Sequence, residues 1–232
     1  MKIALCQINT ILGNFDYNYE KILKYYNRSI NLNADIIVFP ELAITGYQPQ
    51  DLLMNNEFVN ENLSVLNKIA KKSTKPIIIG YVRADEKKIY NSAAICFDGQ
   101  IQSSHDKVLL PTYDVFDEER YFTSGIKPKV STIPFGESEL RVGLQICEDL
   151  WDNNYDCKVS SVQKELGAEI FINISASPYH KDRLIKRRSI IEDKVKKLSL
   201  PFLYCNMVGA QDELIFDGQS IGLSDNGNLI AY

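Results

Sequence analysis

A chain of 232 residues, 45% hydrophobic and 24% charged, is long enough to bury one sizeable core and carries no compositional mark of disorder. Its formal net charge of −4, with both signs mixed along the chain, excludes general nucleic-acid binding, which needs a basic face. No apolar run is long enough to span a bilayer, so no membrane partner is expected, and Met1-Lys2 leads straight into a strand-like segment without a signal-peptide core, which places the expected compartment in the cytoplasm.

The first elements read as βαβα. Residues 2–8 form a strand pattern, and residues 14–33 a helix with Tyr19, Ile22, Leu23, Tyr26 and Ile30 on one face. Residues 35–39 are a short apolar strand of the kind covered on both faces. At its end stands Pro40-Glu41-Leu42-Ala43-Ile44-Thr45-Gly46-Tyr47, a loop with a carboxylate where the strand stops. A second helical period runs over residues 58–72 and a further strand over 76–82. The order then changes: residues 89–97 and 100–106 flank Asp98-Gly99, a two-residue hairpin signal, and Lys107 follows at the hairpin's exit. Residues 109–122 read as an aromatic and acidic loop.

After a short strand at 130–134, Arg141-Val142-Gly143-Leu144-Gln145-Ile146-Cys147-Glu148-Asp149-Leu150-Trp151 brings a thiol to the end of a strand, because Val142, Leu144 and Ile146 alternate with Arg141, Gly143 and Gln145. Ligands in open α/β sheets gather beyond the carboxyl ends of strands. A helix at 158–166, a strand at 169–174, a loop at 175–182, a helix at 184–198 and a strand at 202–206 come next. Residues 220–224, an Asn226-Gly227 turn and residues 229–232 close the chain as a hairpin. Helices alternating with strands, plus hairpins, imply a mixed sheet or two sheets covered by helices.

Cys6, Cys96, Cys147, Cys157 and Cys205 are odd in number and widely spaced, which suits reduced thiols rather than a disulfide framework. The sequence has no CxxC or HxxxH pairing, so no metal site is expected. Glu41, Lys107 and Cys147 each follow a strand-like run. Separately each has an ordinary reading: Glu41 caps the turn before Thr45, Lys107 is a solvated hairpin residue, and Cys147 is a core thiol.

Together, Phe39-Pro40-Glu41-Leu42, Lys107-Val108-Leu109-Leu110-Pro111 and Gln145-Ile146-Cys147-Glu148-Asp149 resemble the three motifs of the nitrilase, or carbon–nitrogen hydrolase, superfamily. Within it the chain is similar to the glutaminase domains of glutamine-dependent NAD synthetases, through residues 45–53, 111–118, Ser175-Ala176-Ser177-Pro178-Tyr179-His180 and residues 209–220. That resemblance implies an α/β fold, the four-layer α-β-β-α sandwich. It implies a Glu41–Lys107–Cys147 triad in which Glu41 is general base and acid, Lys107 stabilises an oxyanion with the backbone N–H of Glu148, and Cys147 carries a γ-glutamyl thioester. Glu118 corresponds to a further glutamate expected to position Lys107. Tyr113, Ser177 and Arg183 would hold the α-amino and α-carboxylate ends of L-glutamine, with Tyr47 and Trp151 walling the pocket. Lys181, Lys186, Arg187 and Arg188 are expected on the solvated face of the helix that follows. His180-Lys181-Asp182-Arg183 departs from the family's His-x-Gly-Lys pattern, which leaves the local loop geometry open.

Other readings stay open at this level: an amidase of the same superfamily acting on another small amide, and a non-catalytic glutamine-binding subunit. A Cys–His hydrolase would have to use His105 or His180, and no Cys–His signature accompanies either. The Ser-Gly-Gly-x-Asp-Ser loop of the synthetase domain is missing, as are GxGxxG and GxxxxGK[ST] segments, so no cofactor and no ATP are expected on residues 1–232. The expected partner is an ATP-dependent NAD synthetase domain or subunit, with a fragment truncated at its C-terminal end preferred over a separate subunit. The resemblance also implies a homo-oligomer.

Overall fold

The computed structural model describes residues 1–86 and 88–232. Two sheets pack face to face. The first has the strand order β1 (Ile3–Leu5), β2 (Ile36–Val38), β3 (Ile77–Asp85), β4 (Lys88–Phe97) and β5 (Gln100–Asp106). Its first three strands run parallel and the last two add as antiparallel neighbours, the β4–β5 turn falling on Asp98-Gly99. The second sheet contains β6 (Ser131–Phe135), β7 (Ser138–Ile146), β8 (Ile170–Ser175), β9 (Phe202–Asn206), β12 (Ile221–Leu223) and β13 (Leu229–Ala231), in the order β13-β12-β9-β8-β7-β6. Between β9 and β12 the chain makes a separate two-stranded ribbon, β10 (Val208–Gln211) and β11 (Leu214–Asp217).

The period of two along each strand sorts the side chains into layers. Ile36 and Val38 of β2 and Ile78 of β3 meet Val142, Leu144 and Ile146 of β7 and Ile170, Ile172 and Ile174 of β8 in the seam between the sheets. Ile37, Ile77 and Ile79 point the other way, onto Ile22 and Tyr26 of α1 (Phe15–Asn31) and Val65, Leu66 and Ile69 of α2 (Asn56–Lys72). On the far side, Phe171, Phe202 and Tyr204 pack on Ile190, Ile191 and Val195 of α4 (Arg183–Leu198). The result is helices, sheet, sheet, helices: the α-β-β-α sandwich. Each fully buried Ile or Phe in these layers contributes about 1.5–3 kcal/mol.

Several element ends differ from the sequence pattern for local reasons. Helix α2 starts at Asn56 rather than at 58, because the Asn55 side chain accepts from the Glu57 backbone N–H and caps it earlier. Strand β1 stops at Leu5, having only the three residues of β2 to pair with; the chain beyond it bonds the far ribbon, Val208 N–H donating to the Ile8 carbonyl. Strand β3 runs on to Asp85, where Arg83 stacks on the Tyr90 ring and donates to Asp106. The β10–β11 ribbon was not expected as strands.

One polar face is buried as well. Gln145 of β7 points away from the seam and donates to Ser160 Oγ and Gln163 Oε1 on α3 (Val159–Glu165), while Gln163 donates to the Leu144 carbonyl. A side chain at Gly143 would meet the Phe171 ring at 2.7 Å, so glycine lets α3 and β8 close over this strand.

Candidate active site

Glu41, Lys107 and Cys147 come from three strand ends, and the fold brings those ends together. Glu41 lies just beyond β2, Lys107 just beyond β5, and Cys147 opens a short 3-10 turn, Cys147–Leu150, directly after β7. All three are buried, at 0%, 1% and 5% exposure, which sets aside the solvated reading of Lys107.

Every oxygen of Glu41 is held. Its Oε1 accepts from Lys107 Nζ and from Asn91 Nδ2, both at 2.8 Å, and its Oε2 accepts from the Ala176 backbone N–H at 2.8 Å. The Lys107 ammonium also lies 2.9 Å from Glu118 Oε1 and 2.8 Å from its Oε2. Tyr47 donates from its hydroxyl to Glu118 Oε1 at 3.1 Å. Two carboxylates therefore face one ammonium in a space without water-like dielectric, where such a pair persists only because each charge has a partner.

The electrostatics follow from that arrangement. Burial works against the charged form of Lys107, but the Glu118 and Glu41 carboxylates outweigh it and hold the ammonium well above its ordinary pKa. Glu118 moves the other way from a free carboxylate: burial raises it, Lys107 counteracts, and Glu41 adds repulsion, leaving it at about 7. Burial and then the Glu41 carboxylate push the Cys147 thiol well above its usual range, against the pull of Lys107. A thiol so placed is protonated at rest and needs a base to become a nucleophile.

Local backbone geometry fixes the reactive groups. Cys147 sits at φ 42°, in the left-handed region that a non-glycine residue occupies at a cost, and Leu42, immediately after Glu41, sits at φ 46°. Asp149 anchors the cysteine turn. Its Oδ2 accepts from the Ile146 N–H, and its Oδ1 accepts from the N–H groups of both Val108 and Leu109, all at 3.0 Å. One buried carboxylate thus ties the turn carrying Cys147 to the loop carrying Lys107. The Glu41 loop is seated on Gly80 of β3, where a Cβ would lie 2.2 Å from the Leu42 nitrogen.

The other residues singled out in the sequence fall in three places. Glu148 is buried next to Cys147, and its carboxylate accepts from the Tyr113 and Tyr155 hydroxyls at 2.9 Å or just over. Burial raises its pKa, with the two phenol donors opposing. Tyr113, Glu148, Trp151 and Tyr155 line a depression of about 420 Å³. Arg183 opens α4 and lays its guanidinium 5.1 Å from the centre of the Trp151 ring, while Ser177 lies buried in the loop after β8. Tyr47 is placed differently from the pocket wall expected of it: it is 1% exposed, packs edge-on against Phe216 and spends its hydroxyl on Glu118.

Arg187 corrects the sequence reading outright. Expected on the solvated face of α4, it is fully buried, and donates to Ser177 Oγ and Asp217 Oδ1 at 3.3 Å and to the Gly218 carbonyl at 3.4 Å. The signal was its position: Leu184, Arg187, Ile191 and Val195 form one stripe at helical spacing. Tyr155 and Asn91 also belong to the site and were not singled out; Tyr155 is marked only by its helix-like distance from Trp151, and Asn91 only by its place inside the β4 pattern. Among the described residues no group of three or more His, Cys, Asp or Glu side chains could hold a metal ion, and no helix is long and apolar enough to cross a membrane.

The profile of the carbon-nitrogen hydrolase family matches residues 2–232. Glutamine-dependent NAD(+) synthetase of Thermotoga maritima is 37% identical over 235 residues, covering 100% of this chain and 40% of that protein. The protein of the same name from Synechocystis sp. is 37% identical over 244 residues, covering 98% of this chain and 43% of the other. The chain thus spans about two fifths of the length of the curated relatives it matches. Among solved structures, glutamine-dependent NAD+ synthetase from Acinetobacter baumannii superposes with a TM-score of 0.91 at 32% identity, over 99% of this chain and 42% of that one. An amidase of the nitrilase superfamily from Nesterenkonia AN1 superposes with a TM-score of 0.84 at 21% identity, covering 100% and 85% of the two chains, a likeness of fold.

Proposed function

We propose that this chain, which belongs to the carbon–nitrogen hydrolase family, hydrolyses the side-chain amide of L-glutamine and supplies the ammonia to an ATP-dependent NAD synthetase domain or subunit. The observation that carries the reading is the buried Lys107 ammonium facing Glu41 and Glu118 beside a strand-end cysteine in a left-handed turn. The similarity to glutamine-dependent NAD(+) synthetases over the whole of this chain supports glutamine as the amide.

In this reading Glu41 takes the Cys147 thiol proton as Sγ attacks the amide carbon. The carbonyl π bond opens as the S–C bond forms, and its electron pair goes to the carbonyl oxygen as negative charge. Lys107 stabilises that oxygen, a contribution of about 3–4 kcal/mol for one fixed donor. Glu41 then returns its proton to nitrogen, the C–N bond breaks, and ammonia leaves a thioester on Cys147. Water, deprotonated by Glu41, attacks the thioester and releases glutamate with the thiol restored. Glu118 keeps Lys107 in place without touching substrate. Glu148, steadied by Tyr113 and Tyr155, suits the α-ammonium, and Ser177 with Arg183 suits the α-carboxylate, since an arginine fork can bind both its oxygens. Trp151 walls the depression beside them.

Residues 1–232 would then be the amidohydrolase domain of a longer synthetase, working in the cytoplasm as a homo-oligomer; sedimentation giving only monomer contradicts the last point. The thioester is tested by hydroxylamine. With L-glutamine present, the wild-type chain is expected to form γ-glutamyl hydroxamate and Cys147→Ala none. Equal formation by both would remove Cys147 from the chemistry.

A further inference from the structure

Resting on the reading of Lys107 and Cys147 as reacting groups, we infer that His105 is a positioning residue. As the neutral Nε2–H tautomer it donates to Asp149, and so couples the strand that delivers Lys107 to the turn that delivers Cys147. His105 is the penultimate residue of β5, buried at 1% exposure, two positions before Lys107. Its Nε2 lies 3.5 Å from Asp149 Oδ2, and its Nδ1 has no partner among the described residues. A Cys–His hydrolase would need this ring turned on Cys147; its hydrogen-bonding partner is Asp149 instead.

The direction of this hydrogen bond follows from what Asp149 already accepts. Its Oδ2 takes the Ile146 N–H and its Oδ1 takes the N–H groups of Val108 and Leu109, three donors on a group with room for about four. A carboxylate ringed by N–H groups only accepts, so the imidazole must present a proton at Nε2. An imidazolium would carry a second proton on Nδ1, where no acceptor waits, so the ring is neutral. His105 thereby fills the remaining acceptor site of Asp149. The consequence lies in the chain order: His105 precedes Lys107, Val108 and Leu109 follow it, and all three converge on one carboxylate. Without His105, Asp149 grips only the loop after Lys107; with it, the lysine is bracketed on both sides. The strand end is held on its other side as well, since Asp106 accepts from Arg83 Nε at 2.8 Å and from Ser92 Oγ at 2.6 Å, and the Lys107 N–H donates to the Asn91 carbonyl at 2.8 Å. Because β5 belongs to the first sheet and Cys147 follows a strand of the second, the His105–Asp149 contact fixes one sheet against the other at the reacting groups.

The experiment uses the full 232-residue chain. His105→Leu is expected to lower kcat on L-glutamine by about tenfold or more while KM changes by less than about twofold, because displacing Lys107 against Cys147 costs the transition state rather than the bound substrate. His105→Gln, whose terminal NH₂ reaches about as far as Nε2, should recover kcat to within about threefold of wild type, and the shorter His105→Asn should not. A loss carried by KM, or His105→Gln as slow as His105→Leu, would overturn the assignment. The tautomer is read without either variant: the chain has two histidines, so His180→Gln leaves His105 as the only imidazole seen by 15N NMR. A proton on Nε2 and none on Nδ1 is expected, and a proton on Nδ1 overturns the assignment even if His105→Leu fails to fold. If the wild-type chain hydrolyses no amide, the functional reading falls, and hydrogen exchange then decides the coupling by itself. Relative to the amides of β8, those of Ile146, Val108 and Leu109 should exchange about tenfold faster in His105→Leu and at the wild-type rate in His105→Gln. Unchanged relative exchange in His105→Leu would refute the coupling.

Discussion

The backbone N–H of Ala176 donates to Glu41 Oε2 across 2.8 Å, so the loop after β8 in one sheet holds the carboxylate that β2 delivers from the other. The two residues are 135 positions apart in the chain. The site therefore sits where the sheets converge and depends on the sandwich being closed.

Glu41→Gln tests that convergence. Asn91, Lys107 and Ala176 all aim donors at this carboxyl group, so an amide must turn its own NH₂ against at least one of them and also loses the basic oxygen. The expected kcat on L-glutamine falls by about 10³ or more, from loss of the general base. Near-wild-type turnover would exclude Glu41 as that base; circular dichroism confirms that the variant is folded.

Asp149→Asn should separate the cysteine turn from the lysine loop. Three backbone N–H groups converge on its two oxygens, and an amide offers only one oxygen. A stability loss on the order of 3 kcal/mol is expected in urea unfolding, with a fall in kcat that exceeds any change in KM. Unfolding at the wild-type midpoint would show that the bracket carries no weight.

Gly80→Ala places a methyl group 2.2 Å from the Leu42 nitrogen and 2.6 Å from the Glu41 carbonyl carbon. Backbone must move, so destabilisation of about 1–3 kcal/mol is expected, together with a drop in kcat of about tenfold or more from displacement of Glu41. A variant matching wild type in both melting temperature and turnover would contradict the close approach.

Glu118 predicts a pH dependence of stability. Its folded value of about 7 lies above the ordinary 4.5, so the folded chain keeps a proton that the unfolded chain has released between those values. The contribution to stability is complete below about pH 4.5 and is lost as pH rises through 7, by about 3 kcal/mol at most. Glu118→Gln lacks this slope. Urea unfolding at pH 5 and pH 8 should therefore show wild type losing more stability than the variant across that interval. Parallel losses would mean that Glu118 is already ionised at pH 5.

Most of the layer structure is legible in the sequence because a buried strand announces itself twice, by its apolar run and by its period. Val142, Leu144 and Ile146 mark one face of β7, and the abrupt stop at Cys147 marks its end. The three strand-end candidates were visible as positions, whereas their contacts were not, since Glu41 and Ala176 meet only through tertiary closure. Arg187 was misread because charge outweighed position: it sits within Lys186-Arg187-Arg188, yet falls on the apolar stripe of α4. The β10–β11 ribbon escaped notice because each strand has four residues and is joined by Asp212-Glu213, with Asp212 at φ 50° supplying the turn without a glycine.

The most direct test of the central claim is ammonia release by the purified 232-residue chain from L-glutamine beside a panel of small amides, with Cys147→Ala as control. Release from L-glutamine that exceeds every other amide and vanishes in Cys147→Ala is the predicted result. Preference for another amide, or release that survives the loss of the thiol, would contradict it.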